Sequence, residues 1–149
     1  MKDNLLDQYK IYVEMADRIS DRRTRTNGFY TTLLSGLLIV VSLTVDRDNS
    51  LNNYQSIIFL AVGILGCLVC IIWWVNIRSY RQLNSAKFQV IHEMEEKLEY
   101  SAYKKEWEIL GKGLDASKYF QLTRIEARVP VILSIPFVLL ITYSMASLF

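Results

Sequence analysis

The side chains with the most chemistry available to them fall in one short stretch, RSYRQLNSAKFQVIHEMEEKLE, residues 78–99. His92 is the single histidine of the chain, and Glu93, Glu95, Glu96 and Glu99 follow it. His92 and Glu96 are four residues apart and share one face of a helix, so a metal or acid/base centre is conceivable there. A bound metal needs three or four converging ligands, however, and no second H-x-x-E or E-x-x-H segment supplies the others. A solvated acidic face is the plainer reading. Cys67 and Cys70 have the C-x-x-C spacing of redox and zinc sites. They lie inside the apolar run GILGCLVCIIWWV, where small packing residues are the more natural interpretation. The sequence has no G-x-S-x-G, no G-x-x-x-x-G-K-[ST] and no cysteine nucleophile outside an apolar segment. The residues argue against an enzyme and call for no cofactor or metal.

A second set is basic and polar: Arg78, Ser79, Tyr80, Arg81, Asn84 and Lys87. Repeated around an oligomer axis, such residues would form a cationic vestibule or an anion pocket for a lipid headgroup or a nucleotide. The alternative is pairing with Glu14, Asp17 and Asp21 of the N-terminal segment. The two separate by experiment, because charge reversal at Arg81 is rescued by reversal at one of those acids only if they pair.

The elements that must position these groups are set by an uneven distribution of charge. A net charge of +2 does not suggest a nucleic-acid partner. Charged residues are nearly absent from residues 29–45, 56–75 and 129–149 and dense elsewhere. Each window approaches or meets the roughly 17 to 25 residues that cross a hydrocarbon core. No small-residue cleavage site follows the first, so it is expected to be a retained span. Six Lys and Arg precede it, one (Arg47) lies in the loop 46–56, and ten lie between the second and third windows. The positive-inside rule then places the N-terminus and the long middle segment in the cytoplasm, and the C-terminus outside.

No Pro or Gly follows Gly66 until Gly111. A helix entering the second window is therefore expected to pass Trp73 and Trp74 and run on into water toward Leu98. Along it, Tyr80, Leu83, Val90, Met94 and Leu98 make one apolar stripe, with Ile77, Phe88 and Ile91 beside it. Leu5, Tyr9, Tyr12, Ala16 and Ile19 mark a matching face on an N-terminal helix, widened by Leu6 and Val13. A third helix is expected from about Tyr103 to Leu110, carrying Trp107. Beyond GKGLD, Asp115 or Ser117 is expected to cap the helix SKYFQLTRIEARV, with a restart at Thr123–Glu126 as the alternative. Pro130 either kinks a continuous helix or begins a new one. Gly63 and Cys67, and Gly66 and Cys70, are small-xxx-small pairs expected to help close a hairpin of spans one and two. The many Tyr and Trp of the polar segments suit a core shared between subunits.

The ordered patterns YKIYVEMADRISDRR, SYRQLNSAKFQVIHEMEEKL, YKKEW and LTRIEARVP resemble the RipA family of octameric bacterial membrane proteins over most of the chain. That resemblance implies a bacterial inner-membrane homo-oligomer, an octamer by the family's description, with a cytosolic helical assembly. It carries over no functional site. The layout is more weakly similar to the SLATT class of two-span membrane effectors in nucleotide-signalled defence systems, from which the third span departs.

The expected architecture is an all-α integral membrane protein. It comprises a cytosolic amphipathic helix (1–28), a first span (29–45), an external loop (46–56), a second span (57–75), a cytosolic helical segment (76–128) and a third span (129–149). The interface or ligand candidates are Arg78, Tyr80, Arg81, Asn84, Lys87 and Trp107. The partners expected are further copies of the chain, membrane lipids and an unidentified cytosolic protein or signal. Two functions fit: a membrane scaffold built from a ring or cage of cytosolic helices, or a pore or effector gated through the second span.

Overall fold

The computed structural model describes residues 2–45, 52–115, 117–119 and 122–148, and for residues 2, 3, 45, 52, 53, 123 and 124 the backbone alone. Most of the loop 46–56, including Arg47, lies outside the described residues, as do the side chains of Thr123 and Arg124. The described elements are all helical: α1 (Lys2–Val45), α2 (Asn52–Glu95), α3 (Ala102–Ile109), a 3₁₀ turn (Gly111–Gly113), α4 (Leu122–Glu126) and α5 (Val129–Leu148). Three of them, α1, α2 and α5, are long and apolar enough to cross a membrane.

The amphipathic N-terminal segment and the first apolar window are one helix of 44 residues, continuous through Gly28 and Gly36. Like α1, α2 runs for 44 residues without a break. It stops at Glu95 rather than Leu98. There the last turn tightens, with Lys97 N–H donating to the Met94 carbonyl at 3.1 Å and Leu98 N–H to the Glu95 carbonyl at 3.0 Å.

The chain divides into two units. A helical unit comprises Met1–Thr24 and Ile77–Ile125; a spanning unit comprises Arg25–Asn76 and Glu126–Phe149. In the helical unit the expected face of α1 is the less exposed one, with Ala16 and Ile19 buried and Leu5, Tyr9, Tyr12 and Val13 half-buried. Leu6 is exposed instead. On α2 the phase of the stripe differs from expectation. The inner seam runs through Ile77, Asn84, Phe88, Ile91 and Glu95, while Leu83 faces outward. The spacing of this seam is 7, 4, 3 and 4 residues, a good helical repeat. Two polar members conceal it from a search for apolar periodicity.

Asp115 does not cap a long helix. Its Oδ1 accepts from Ser117 N–H at 3.0 Å and from Ser117 Oγ–H at 2.6 Å, closing a single turn. Those bonds, the side-chain one first, hold its carboxyl below the ordinary range. Among the described residues of the expected helix SKYFQLTRIEARV, Leu122–Glu126 form α4 and Val129 already belongs to α5. Of the two alternatives for Pro130, the new start is observed. Pro130 sits in the first turn of α5, where a missing N–H leaves no helical bond unmade.

In the spanning unit, α1 and α2 meet through Trp73 Nε1–H, which donates to Asn27 Oδ1 at 2.8 Å, and Asn76 Nδ2–H, which donates to Tyr30 Oη at 2.8 Å. The Tyr30 and Trp73 rings stack at 5.8 Å. The glycines of α2 turn elsewhere. A Cβ on Gly66 would overlap the Phe137 ring, and one on Gly63 would lie 2.7 Å from Ile141 Cγ1. The small face expected to close the α1–α2 hairpin therefore receives α5. Ser144 Oγ–H donates to the Ser56 carbonyl on the same seam.

Candidate functional site

The helical unit is built around a carboxylate. Glu95 ends α2 with 0% exposure. Its Oε1 accepts from Tyr103 N–H at 2.8 Å and from Tyr9 Oη–H at 3.0 Å, and its Oε2 accepts from Lys104 N–H at 3.0 Å. Tyr103 and Lys104 lie in the first turn of α3, where N–H groups have no helical partner. Ser101, at the usual capping position of α3, makes no side-chain cap and donates its hydroxyl to the Glu95 carbonyl at 3.2 Å. A side chain from the preceding helix thus does the capping. The positive end of α3 and three donors together stabilise a buried negative charge.

This residue is the exception to the solvated acidic face expected around His92. Glu93, Glu96 and Glu99 are exposed, but Glu95 is turned inward between three helices. Its neighbours feel it. Burial, then the hydrogen bond to Glu95, pushes the Tyr9 hydroxyl up to about 12. Burial, with Asp17, Glu106 and Glu95 adding, raises that of Tyr103.

One to four turns before Glu95, α2 and α3 diverge around a cavity of about 600 Å³. From α2 it is lined by Arg81, Asn84, Phe88 and His92, and from α3 by Tyr103, Glu106 and Trp107, with Tyr119 closing one side. The aromatic rings pair edge to face: Phe88 with Tyr103 at 5.7 Å, and Trp107 with Tyr119 at 6.4 Å. One guanidinium, one carboxylate, the amides of Asn84 and Gln89, an imidazole and flat apolar walls make a recognition surface.

Three of the sequence candidates, Arg81, Asn84 and Trp107, are brought together here. Lys87 is turned to the other side of α2, with its ammonium 5.1 Å above the Tyr12 ring and 3.9 Å from Met15 Sδ. Arg78 is exposed and Tyr80 half-buried, both outside the cavity. The expected pairing of Arg81 with acids of α1 is not seen among the described residues. Glu14 instead binds Arg18 on its own helix at 2.6 Å. An i,i+4 partner is already placed by the helix, whereas a partner on another helix must be reached. Sequence reading missed Tyr103, Glu106 and Tyr119 as members of the site. The spacing 103, 106, 107 on α3, continued by Leu110 at its C-terminal cap, was the available signal for the first two.

In the spanning unit Cys70 is buried and Cys67 half-buried, both as free thiols. With Trp74, Pro130, Ser134 and Val138 they line an apolar groove of about 400 Å³ between α2 and α5. Among the described residues no three His, Cys, Asp or Glu converge as metal ligands.

Comparison with known proteins returns no matching curated protein and no matching solved structure. The model of the octameric membrane protein family (8xMP) matches residues 6–146, nearly the whole length and both units. With three membrane-length helices and a pattern matched over residues 6–146, the chain belongs to the octameric membrane protein family.

Proposed function

We propose that this protein is a non-enzymatic, homo-oligomeric scaffold of the bacterial inner membrane. Its helical units join on the cytosolic side into a ring or cage that organises a membrane patch or recruits a partner. The observation that carries this reading is the apolar surface left uncovered on the helical unit. Ile109 is 66% exposed and Leu114 87%, with Leu122, Ile125 and Trp107 also open. Apolar area in water is unfavourable by about 25 cal/mol per Å², so large side chains this exposed favour a surface that is covered. The family's name supports further copies of the same chain as the cover. The Lys and Arg count by side supports a cytosolic location for this unit.

Mass photometry of the full chain in lipid nanodiscs tests the proposal. A discrete multiple of the 17.3 kDa subunit is expected; a single folded subunit would overturn it. A second reading, a gated pore or effector, draws on α2, which continues without a break from the spanning unit into the helical unit. Liposome flux separates the two. A sealed membrane supports the scaffold, and dye or ion leakage at low protein-to-lipid ratio supports the pore.

A further inference from the structure

The aromatic cavity of the helical unit is incomplete in one chain. Asn84 lines it, and the Asn84 Oδ1 is closed off from solvent with no hydrogen-bond donor. Arg81, on the same wall, makes no hydrogen bond or ion pair among the described residues. Buried acceptors are nearly always satisfied, so a donor is missing from this one. What fills the space should bring an apolar side chain for the aromatic walls, a donor for Asn84 and a negative charge for Arg81.

The outer face of α1 has that chemistry. Ile11 is 55% exposed and lies well around α1 from the buried Ala16. Asp7 precedes Ile11 by four residues, Gln8 by three, and Glu14 follows it by three, so all three border its face. Asp7 lies 3.8 Å from Lys10 and Glu14 2.6 Å from Arg18, exposed pairs of small net worth that a partner cation can exchange. A chain cannot insert this face into its own cavity. Lys87 is the α2 residue that meets Tyr12 of α1, whereas Arg81, Ser85 and His92 lie around the helix on the α3 side. A ring of three or more identical subunits uses two different complementary patches on each copy, head to tail. A knob on α1 and a socket between α2 and α3 are such a pair.

We propose that the cavity is a socket for α1 of the neighbouring copy, with Ile11 against the Phe88 and Trp107 walls, Gln8 donating to Asn84, and Asp7 or Glu14 paired with Arg81. The proposal rests on the oligomeric reading above and names the surface that builds it.

The test is photo-crosslinking of the full chain in native membranes with Ile11→p-benzoylphenylalanine, followed by mass spectrometry of the joined peptides. The expected result is two chains joined, residue 11 of one to the segment 81–107 of the other. Arg81→Glu should lower the yield about tenfold, and adding Asp7→Arg or Glu14→Arg should restore it. Arg81 is exposed and lies away from the Glu95 cap, and an unchanged circular dichroism spectrum of Arg81→Glu confirms that the fold is kept. Crosslinks to another segment, within one chain, to phospholipid or to another protein would overturn the socket, as would none at all. If any of these came with an intact oligomer mass, the assembly reading would stand while the socket fell. A monomeric mass would end both.

Discussion

The helical unit and the spanning unit use the same two long helices but are held together differently. In the helical unit the three helices converge on Glu95, whose oxygens bind a tyrosine and the first turn of α3. In the spanning unit the close approach is steric, with Gly63 and Gly66 receiving Phe137 and Ile141. The difference follows the solvent each is suited to. In water, burial of an apolar face drives helices together, and a polar centre then selects one arrangement among many. In lipid there is little such drive, so backbone approach over small residues and a few hydrogen bonds at the ends must suffice. The exposed side chains agree, since Ile39, Leu43, Ile64, Leu68, Ile132 and Leu139 point outward from the spanning unit.

The contrast is open to attack from both sides. The largest effect is expected from Gly66→Leu, which drives a side chain into the Phe137 ring. A loss of roughly 3 kcal/mol is expected in detergent unfolding, with hydrogen-exchange protection reduced in α5 and retained in α3. Wild-type stability would show that α5 does not seat on Gly66. Glu95→Ala should cost about 2 kcal/mol through the lost cap and a stranded Tyr9 hydroxyl, with the opposite exchange pattern: α3 exposed and α5 protected.

Smaller effects sharpen the same comparison. Tyr9→Phe removes one donor from the carboxylate and should cost about 1 kcal/mol. It should also change the alkaline limb of stability. Burial and the bond to Glu95 push the folded hydroxyl up to about 12, against 10.0 for an ordinary tyrosine. A raised value means that the folded state keeps its proton longer than the unfolded chain does. Stability from Tyr9 is therefore full below pH 10 and falls as pH rises toward 12. In Tyr9→Phe that part of the decline should vanish from a pH titration of helix content, leaving any contribution from Tyr103. The smallest change is Asn27→Ala, which frees the Trp73 indole. A loss of about 0.6 kcal/mol is expected, read from thermal unfolding together with a shift in tryptophan emission.

Much of the scaffold was legible in residue order alone. The absence of breakers after Gly66 predicted a helix running well past Trp74, and the Leu5, Tyr9, Tyr12, Ala16, Ile19 repeat predicted the inner face of α1. The α2 seam was less legible, because apolar periodicity assigns polar residues to water. Asn84 and Glu95 break that rule, Glu95 because its charge is met by Tyr9 of α1 and by the first turn of α3, neither of which belongs to α2. Gly63 and Gly66 announced a close contact without naming its partner. Small size is a local property, and the partner is chosen by which helix presents Phe137 at the right height.

By itself, then, the order of apolar and charged residues determined three membrane-length helices, the continuity of α2 and the existence of amphipathic faces. Each of these depends on neighbours within a few turns of the same helix. Only the tertiary structure decided that Glu95 is buried, that α5 rather than α1 fills the glycine face, and that Arg81, Asn84 and Trp107 share one cavity. Those outcomes join residues tens of positions apart, and their energies exist only once the helices have met.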